Sequence, residues 1–360
     1  MRPPNAIDFW RGVALVMIFI NHIPGLDYSV LTLRNYAISD AAELFVFLAG
    51  CSLAFVANGQ AAVKPLGQVV MRLLLRAFEI WQAQIVTISV AIAMLAAGAI
   101  YFTDPLLLEW HGAGPAFSDT VRSSIGLALL TYQIGYFNIL PLYVVLMLMA
   151  VVFVVASRWS LVLALAASVA LYAATLTFTW KLPSWPVGGA WFFNPLSWQI
   201  LIVLGFLAMT VRRKHPAAWD ATLRRLWPFA AVIVAIGAVI VWIDYRPDPM
   251  LVPEPRYFFI FDKEFLSPVR VLNMMAVAIA FYPLFPVLSE RLGSAVRYFS
   301  SLGRNSLPVF CVASLLALAG QIIRYIGEPT FLLDTAIVLF GLVVLRITAW
   351  VSEYQPSASS

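Results

Sequence analysis

The sequence contains, at residues 139–157, the run ILPLYVVLMLMAVVFVVAS, in which no side chain is charged. A helix needs roughly 20 apolar residues to cross the hydrocarbon core of a bilayer, and this run has about that length. Runs of similar length recur along the chain, with the basic residues mostly between them. The pattern therefore predicts an integral membrane protein of the helical, multi-spanning kind.

The composition of the 360 residues supports this class. Hydrophobic residues make up 62% of the chain, aromatic residues 14% and charged residues 11%, whereas a soluble domain carries roughly 25% charged residues. The net charge of +5 arises mostly from bases between apolar runs, so it does not imply nucleic-acid binding. Cys51 and Cys311 lie within apolar runs, so no disulfide framework or Cys-x-x-Cys metal site can be argued.

We predict an all-α, polytopic fold with about ten transmembrane helices. No connecting segment is long enough to form a soluble domain, so one transmembrane domain should cover residues 1–352, followed by a short disordered cytoplasmic tail at 353–360. The segment 101–138 is expected to be interfacial or re-entrant. The ten candidate spans are 7–24, 41–58, 74–100, 139–157, 160–180, 196–211, 228–244, 268–289, 306–324 and 331–351.

The basic residues predict the orientation of these spans. Fourteen Lys and Arg residues, Arg2 and Lys64 among them, lie on the side of the termini, and eight lie on the other side. The remaining one, Arg346, is inside the last span. Because cytoplasmic loops carry the excess of positive charge, both termini should be cytoplasmic.

The first span carries polar residues on one helical face. Asp8, Arg11, Leu15, Ile18 and His22 follow steps of three and four, and their presence in the run favours a retained helix over a signal peptide. Arg11 and His22 are separated by three turns, roughly 16 Å, so they should lie at two depths. Such groups at membrane depth are candidates for function. The alternative is an interfacial arginine and a capping histidine.

The second span begins with two carboxylates, Asp40 and Glu43, on one face. The predicted topology places them at the same depth as His22. A carboxylate that is hydrogen-bonded to an imidazole fixes its tautomer and raises its basicity, as a general base requires. Alternatively, Asp40 is an N-cap and Glu43 completes a capping box.

Two further polar clusters fall on the predicted cytoplasmic side. Arg304 and Asn305 open the ninth span, and a helix N-terminus beside an arginine suits a phosphate or carboxylate. An N-cap beside a topology arginine is an equally simple interpretation. Arg76 lies in the third span, where it could simply pair with Glu79 three residues later. The sequence has no Walker A, HExxH or GxSxG motif and no metal-ligand spacing, so we expect no metal.

Four motifs in order resemble the OpgC family and, more distantly, the wider group of transmembrane acyltransferases that includes the acyltransferase 3 family. They are Asp8-x-x-Arg11-Gly12 followed by His22, SDAAELFVFLAG at 39–50, FNPLSWQ at 193–199 and SLGRNSL at 301–307. The resemblance implies O-acylation of carbohydrate in a bacterial inner membrane, typically succinylation of osmoregulated periplasmic glucans. It also implies that Arg11 and His22 correspond to the paired arginine and histidine of the wider group.

The residues and the resemblance together predict a division of roles. Acyl coenzyme A (acyl-CoA), typically succinyl-CoA, would bind from the cytoplasm, and a hydroxyl of a periplasmic glucan or related polysaccharide would enter from the other side. His22 would act as the general base. The bilayer lipid is the other expected partner. The remaining predicted roles are donor binding by Arg11, Asp8, Arg76, Arg304 and Asn305, orientation of His22 by Glu43 or Asp40, and hydrogen bonds to the reacting carbonyl oxygen from Asn194 and Gln199.

Two other functions are compatible with this sequence. Ten spans with buried charges also describe a transporter or flippase for a glycan or anionic metabolite, although we find no repeated halves and no matched broken helices. A non-catalytic membrane partner of a glucan-synthesis machine is the third possibility, but the loops are short and offer no docking domain.

Overall fold

A computed structural model describes residues 3–58 and 65–354 of the protein. Within these ranges the chain is all-helical, with β-structure confined to an isolated bridge between Pro183 and Ala190, which confirms the predicted all-α class. The α-helices of these ranges are α1 (Ala6–Asn21), α2 (Ala41–Asn58), α3 (Leu66–Tyr101), α4 (Gly114–Ser118), α5 (Thr120–Ala128), α6 (Ile139–Trp159), α7 (Leu161–Phe178), α8 (Pro195–Lys214), α9 (Pro216–Trp242), α10 (Pro268–Phe281), α11 (Leu284–Arg291), α12 (Gly293–Arg304), α13 (Ser306–Ile326) and α14 (Phe331–Glu353).

The predicted spans all fall on helices, but fewer than ten are long enough to cross a bilayer. Among the described residues seven helices are sufficiently long and apolar, or eight if α10 and α11, which are interrupted at Tyr282 and Pro283, form one span. Helix α1 has 16 residues, about 24 Å, because the run at 7–24 ends in a turn. The chain is thus a multi-pass membrane protein, while the number of ten is not confirmed and the cytoplasmic termini stay a prediction.

Some predictions fall outside the described residues. These are the topology bases Arg2 and Lys64 and the tail residues 355–360. Helix α14 includes Glu353, so helical structure extends one residue past the predicted domain boundary at 352.

The long connection at 101–138 consists of short helical pieces. Helices α4 and α5 have five and nine residues, and 3₁₀ turns precede and follow them. None of these pieces can span a bilayer. The interfacial placement of this segment stays a prediction.

The chain divides into two compact units, and the first, here called the terminal unit, comprises Met1–Leu33 and Pro283–Ser360. Its helices α1 and α12 cross at very short range. A Cβ atom on Gly12 would lie 1.9 Å from Phe299 O, and one on Gly303 would lie 1.8 Å from Asp8 O. Small residues allow membrane helices to pack this closely. The contact places the end of α12 beside the start of α1.

The second unit, here called the middle unit, comprises Arg34–Tyr282. Its helices α2 and α8 also approach through glycines: a Cβ on Gly50 would lie 2.2 Å from Ile202 O, and one on Gly205 would lie 2.2 Å from Phe47 O. Trp198, near the start of α8, is fully buried. Close backbone packing of this kind leaves no room for a larger residue at either glycine.

Candidate active site

The terminal unit carries Arg11 and His22 on one continuous element. His22 is the C-cap of α1, and its backbone N–H donates to Ile18 O at 3.0 Å. Because no break interrupts the helix between the two residues, a rise of 1.5 Å per residue separates them by ~16 Å along the axis. The structure therefore keeps Arg11 and His22 at two levels of the unit.

Asp8 is buried at the start of α1 and belongs to a helix cap. Its backbone N–H donates to Asn5 Oδ1 at 3.0 Å, and Asn5 Nδ2 donates to Asp8 Oδ2 at 2.6 Å. This exchange satisfies a helix N-terminal donor and fixes the carboxylate. The contact explains Asp8 structurally, and its part in donor binding stays a prediction.

Arg304 and Asn305 lie at the same end of the terminal unit as Asp8, since Gly303 contacts the start of α1. Arg304 Nε and Asn305 Nδ2 both donate to Glu353 Oε1 at 2.9 Å. Arg346 lies nearby, with Nη1 donating to Ser301 Oγ at 3.1 Å. The side chain of Asn305 makes no capping hydrogen bond to α13. The first N–H groups of that helix therefore lie in the same region as Arg304 and Arg346.

The opposite end of the terminal unit contains His22 and side chains from α13 and α14. Gln321 Nε2 donates to the backbone carbonyl of His22. Arg324 forms an ion pair with Asp334, with 2.8 Å between Nε and Oδ1. The sequence predicts no functional role for Gln321, Arg324 or Asp334.

In the middle unit, Asp40 and Glu43 form the capping box that the sequence left as an alternative. Asp40 Oδ1 accepts a hydrogen bond from Ala42 N at 2.8 Å, and Glu43 Oε2 accepts one from Asp40 N at 3.1 Å. Two N-terminal donors of α2 are thus satisfied reciprocally. The capping interpretation is confirmed for both residues.

The same carboxylates are paired with two bases. Arg270 Nε donates to Glu43 Oε1 at 2.7 Å, and Lys263 Nζ binds Asp40 Oδ2. Glu43 is fully buried and Arg270 is nearly so. We call Asp40, Glu43, Lys263 and Arg270 the carboxylate cluster. A buried carboxylate needs such a partner, because an unpaired charge away from water is costly.

The charges of this cluster also set the protonation of Asp40, which precedes α2. Burial alone would raise the pKa of Asp40, but the ammonium of Lys263 and the guanidinium of Arg270 hold that pKa well below its usual value. Asp40 is therefore ionised at neutral pH and binds Lys263 as a carboxylate.

The segment 262–267 joins the cluster to three helices of the middle unit. Trp198 Nε1, on α8, donates to the carbonyls of Lys263 at 3.1 Å and Glu264 at 3.2 Å. Tyr172 OH, on α7, donates to Leu266 O at 2.6 Å. The starts of α2, α8 and α10 therefore meet around this segment.

Comparison with protein families decides where this chain belongs. The family described as OpgC protein matches residues 4–356, nearly the whole chain. The chain belongs to the OpgC protein family. Comparison with curated proteins gives no match. Membership of this family indicates a membrane acyltransferase-like function.

In this OpgC-family protein, Asn194 and Gln199 are held by protein hydrogen bonds. Asn194 caps α8 by accepting from Leu196 N at 3.2 Å, and its Nδ2 donates to Trp180 O at 2.6 Å. Gln199 is buried, with Nε2 donating to Ser168 O at 2.9 Å. Each amide has one further N–H. Their role toward a reacting carbonyl oxygen stays a prediction.

The two units of this OpgC-family protein divide the predicted site residues between them. The terminal unit brings Asp8, Arg304 and Asn305 to the end of α1 that precedes Arg11, and the middle unit brings Asp40 and Glu43 together. Because His22 belongs to the terminal unit, its orientation by Glu43 or Asp40 stays a prediction.

Arg76, in the middle unit of this OpgC-family protein, makes the simple helical pair foreseen as an alternative. Its Nη1 lies 2.9 Å from Glu79 Oε2, and both side chains are exposed. Nothing in this pair requires a bound anion, so its help in donor binding stays a prediction.

Sequence reasoning missed the partners of the buried charges, although a signal was present. Lys263 and Arg270 were counted only as topology bases, yet two buried carboxylates at one depth require two cations. Likewise, Gln321 and Arg324 are three residues apart at the end of an apolar run, so they share a face. A search for complementary charge at equal depth would have identified these residues.

Proposed function

We propose that this OpgC-family protein transfers an acyl group from cytoplasmic acyl-CoA to a hydroxyl of a periplasmic glucan or related polysaccharide, in a bacterial inner membrane. Succinyl is the proposed acyl group. The observation that carries this proposal is that α1 is continuous from Arg11 to His22, with an anion-compatible region at one end and the imidazole at the other. Donor and acceptor that approach from opposite sides need this separation.

The donor end of the proposed reaction is the region around Arg11, Arg304 and the start of α13. Coenzyme A is a polyanion, and arginines beside the N-terminal N–H groups of a helix bind phosphates through charge-assisted hydrogen bonds. Glu353 already neutralises part of this charge by accepting from Arg304. Arg11, which corresponds to the arginine of the wider acyltransferase group in the resemblance above, carries the main part of donor binding in this proposal.

The acceptor end is the region around His22. His22 takes the proton of the acceptor hydroxyl while the oxygen attacks the thioester carbonyl carbon. The C–O bond forms, the C–S bond breaks, and the proton passes to the departing thiolate to give the ester and free coenzyme A. A hydroxyl is a weak nucleophile until a base removes its proton, so the imidazole is essential to this step.

Orientation of His22 by Glu43 or Asp40 belongs to the same proposal. An ionised carboxylate can accept at about four lone-pair positions, and the ion pairs and caps of the carboxylate cluster use some of them. In this proposal a carboxylate of the cluster serves both its structural partner and the imidazole.

The test uses purified protein with succinyl-CoA or acetyl-CoA and an oligoglucan, with products measured by mass spectrometry. We expect succinyl ester on the glucan, and the same ester missing from glucans of cells that lack the gene. Glucans that are identical with and without the gene, together with no transfer in vitro, would contradict the proposal. Movement of unmodified glycan across proteoliposomes would instead support the transporter alternative.

A further inference from the structure

The backbone that follows α1 is held at every carbonyl of residues 22–25, which we call the His22 turn. Gln321 Nε2 donates to His22 O, and Leu26 N donates to Ile23 O at 3.3 Å. Arg324 donates to the next two carbonyls: Nη1 to Pro24 O, and Nη2 to Gly25 O at 2.8 Å. The last carbonyls of a helix have no intrahelical partner, and here α13 supplies three side-chain hydrogen bonds to the turn.

Arg324 is itself fixed by a second helix. Its Nε lies 2.8 Å from Asp334 Oδ1 on α14, and the two side chains are only 12% and 3% exposed. Two guanidinium nitrogens thus donate to the turn, while Nε forms an ion pair with Asp334 that lies outside hydrogen-bond geometry. This planar fork is specific to arginine, since a lysine ammonium offers one nitrogen.

Packing against α13 also holds the His22 turn. A Cβ on Gly320 would lie 3.0 Å from Ile23 Cδ1 and 3.1 Å from Ile337 Cγ2, so Ile23 lies against the helix backbone. Gly25 has a φ of +74°, which only glycine adopts readily, and a Cβ there would lie 3.1 Å from Arg324 Nη1. The close packing at Gly320 and the backbone conformation of Gly25 therefore both favour a single conformation of the turn.

We propose that Gln321, Arg324 and Asp334 form a clamp that positions His22 for acyl transfer. The inference rests on the proposed function, in which His22 is the base. With the backbone of the turn fixed from α13 and α14, the imidazole has only its two side-chain torsions left to adjust. A misplacement of about 1 Å in a catalytic group can cost about 100-fold in rate, so such a device is useful here. These three are positioning residues and need no contact with substrate.

The test compares clamp variants with a matched control. Gln321→Met keeps the length of the side chain but removes the donor to His22 O, and Arg324→Lys keeps the charge but removes the fork. Tyr28→Phe is the control, because it removes another hydrogen bond between the chain after α1 and α14, that of Tyr28 OH with Thr335 Oγ1 at 2.8 Å. Gln321→Met carries the test alone if Arg324→Lys fails to fold.

The first readout is succinyl transfer by folded, monodisperse protein. We expect Gln321→Met to lower kcat about 10- to 100-fold with KM unchanged, and Tyr28→Phe to leave both unchanged. In single-turnover assays the Gln321→Met loss should disappear in the His22→Ala background, because the clamp acts through His22. A loss that persists undiminished in that background would show a merely structural role and would overturn the clamp. A wild-type kcat for Gln321→Met would overturn it as well.

The second readout does not depend on acyl transfer. Diethyl pyrocarbonate modifies imidazoles, and the chain has three histidines, so His111 and His215 serve as internal references in peptide mass spectrometry. We expect the modification rate of His22, relative to the other two, to rise several-fold in clamp variants and not in Tyr28→Phe. An unchanged rate would overturn the clamp, whereas wild-type transfer by His22→Ala would overturn the proposed function instead.

Discussion

The His22 turn and the carboxylate cluster both hold polar groups at a helix end, yet their contacts differ in kind. In the His22 turn, side chains of α13 donate to backbone carbonyls. In the carboxylate cluster, the bases bind the acidic side chains themselves, as Arg270 binds Glu43. The contacts of the His22 turn fix the position of the backbone, whereas those of the carboxylate cluster neutralise the charge of a side chain.

This difference separates a functional signal from a structural one. The position of Glu43 within an apolar run is explained by its cap and its ion pair, because a paired buried charge needs no catalytic reason to exist. The contacts of the His22 turn fix the backbone, and the role of the imidazole itself stays a prediction. The comparison therefore gives Glu43 a structural explanation and leaves the role of His22 to experiment.

The largest expected effect tests the His22 side of the comparison. His22→Ala should lower acyl transfer by about 10²- to 10⁴-fold, the usual loss when a general base is removed. His215→Ala is the matched control, because His215 is exposed between α8 and α9 and has no predicted role. Transfer rates are measured with succinyl-CoA and oligoglucan. Equal rates for the two variants would remove His22 from the mechanism.

The next effect tests the carboxylate cluster. Glu43→Gln leaves the guanidinium of Arg270 buried without its anion, so we expect a loss of about 3–5 kcal/mol in the free energy of unfolding. The double variant Glu43→Leu with Arg270→Met should recover most of that stability. Unfolding is measured in detergent by denaturant titration.

Activity of the same double variant distinguishes the two roles of Glu43. A stable double variant with wild-type transfer would show that Glu43 is structural and does not orient His22. A stable double variant whose turnover falls while donor binding survives would support the predicted orientation of His22. Asp40 becomes the preferred partner for His22 in the first case.

The sequence predicted the helices well, because a helix in the bilayer needs a continuous run of apolar residues that is visible in the local sequence. The run at 139–157 corresponds to α6, Ile139–Trp159, almost residue for residue. The first run was less well predicted, since 7–24 includes Pro24 and the end of the helix at Asn21. Hydropathy cannot distinguish an apolar turn from an apolar helix.

The ion pairs could not be predicted from local patterns, because they depend on which helix ends meet. Arg270 and Glu43 are far apart in the chain and come together only through packing in the middle unit. The capping box of Asp40 and Glu43 is different, since its contacts span three residues and were foreseen as an alternative. The sequence therefore predicted the contacts between residues close in the chain, but not the ion pairs between distant residues.

A smaller effect concerns donor binding at the other end of α1. Arg11→Gln should weaken acyl-CoA binding about tenfold or more, because a charge-assisted hydrogen bond contributes about 1.5–3 kcal/mol. Arg11→Lys should recover only part of the affinity, since an ammonium lacks the bidentate fork. Arg122→Gln is the control, as Arg122 is an exposed arginine near Asp119. Calorimetry in detergent gives the affinities, and normal binding by Arg11→Gln would contradict the donor assignment.

The smallest expected effect is a pH dependence of the carboxylate cluster. The pKa of Asp40 is lower in the folded protein than in the unfolded chain, chiefly through Lys263 acting against the effect of burial. A depressed pKa contributes stability that is present above the unfolded pKa of about 3.9 and is lost as pH falls below it. Asp40→Asn removes the charge and keeps an N-cap oxygen for Ala42 N.

The wild-type protein should therefore exceed Asp40→Asn in stability by about 1–2 kcal/mol at pH 6, a modest value because both partners are partly exposed. At pH 3 the difference should shrink, because the carboxyl of Asp40 is then mostly protonated in the unfolded chain while it stays ionised in the folded protein. Lys263→Met should show the same loss of pH dependence, because it removes the ammonium charge that lowers the pKa of Asp40 most. Thermal unfolding of the three proteins between pH 3 and pH 7 measures this. A wild-type advantage that stays constant down to pH 3 would mean that the Asp40–Lys263 contact contributes no charge-dependent stability, and the cluster would then depend on the Glu43–Arg270 pair alone.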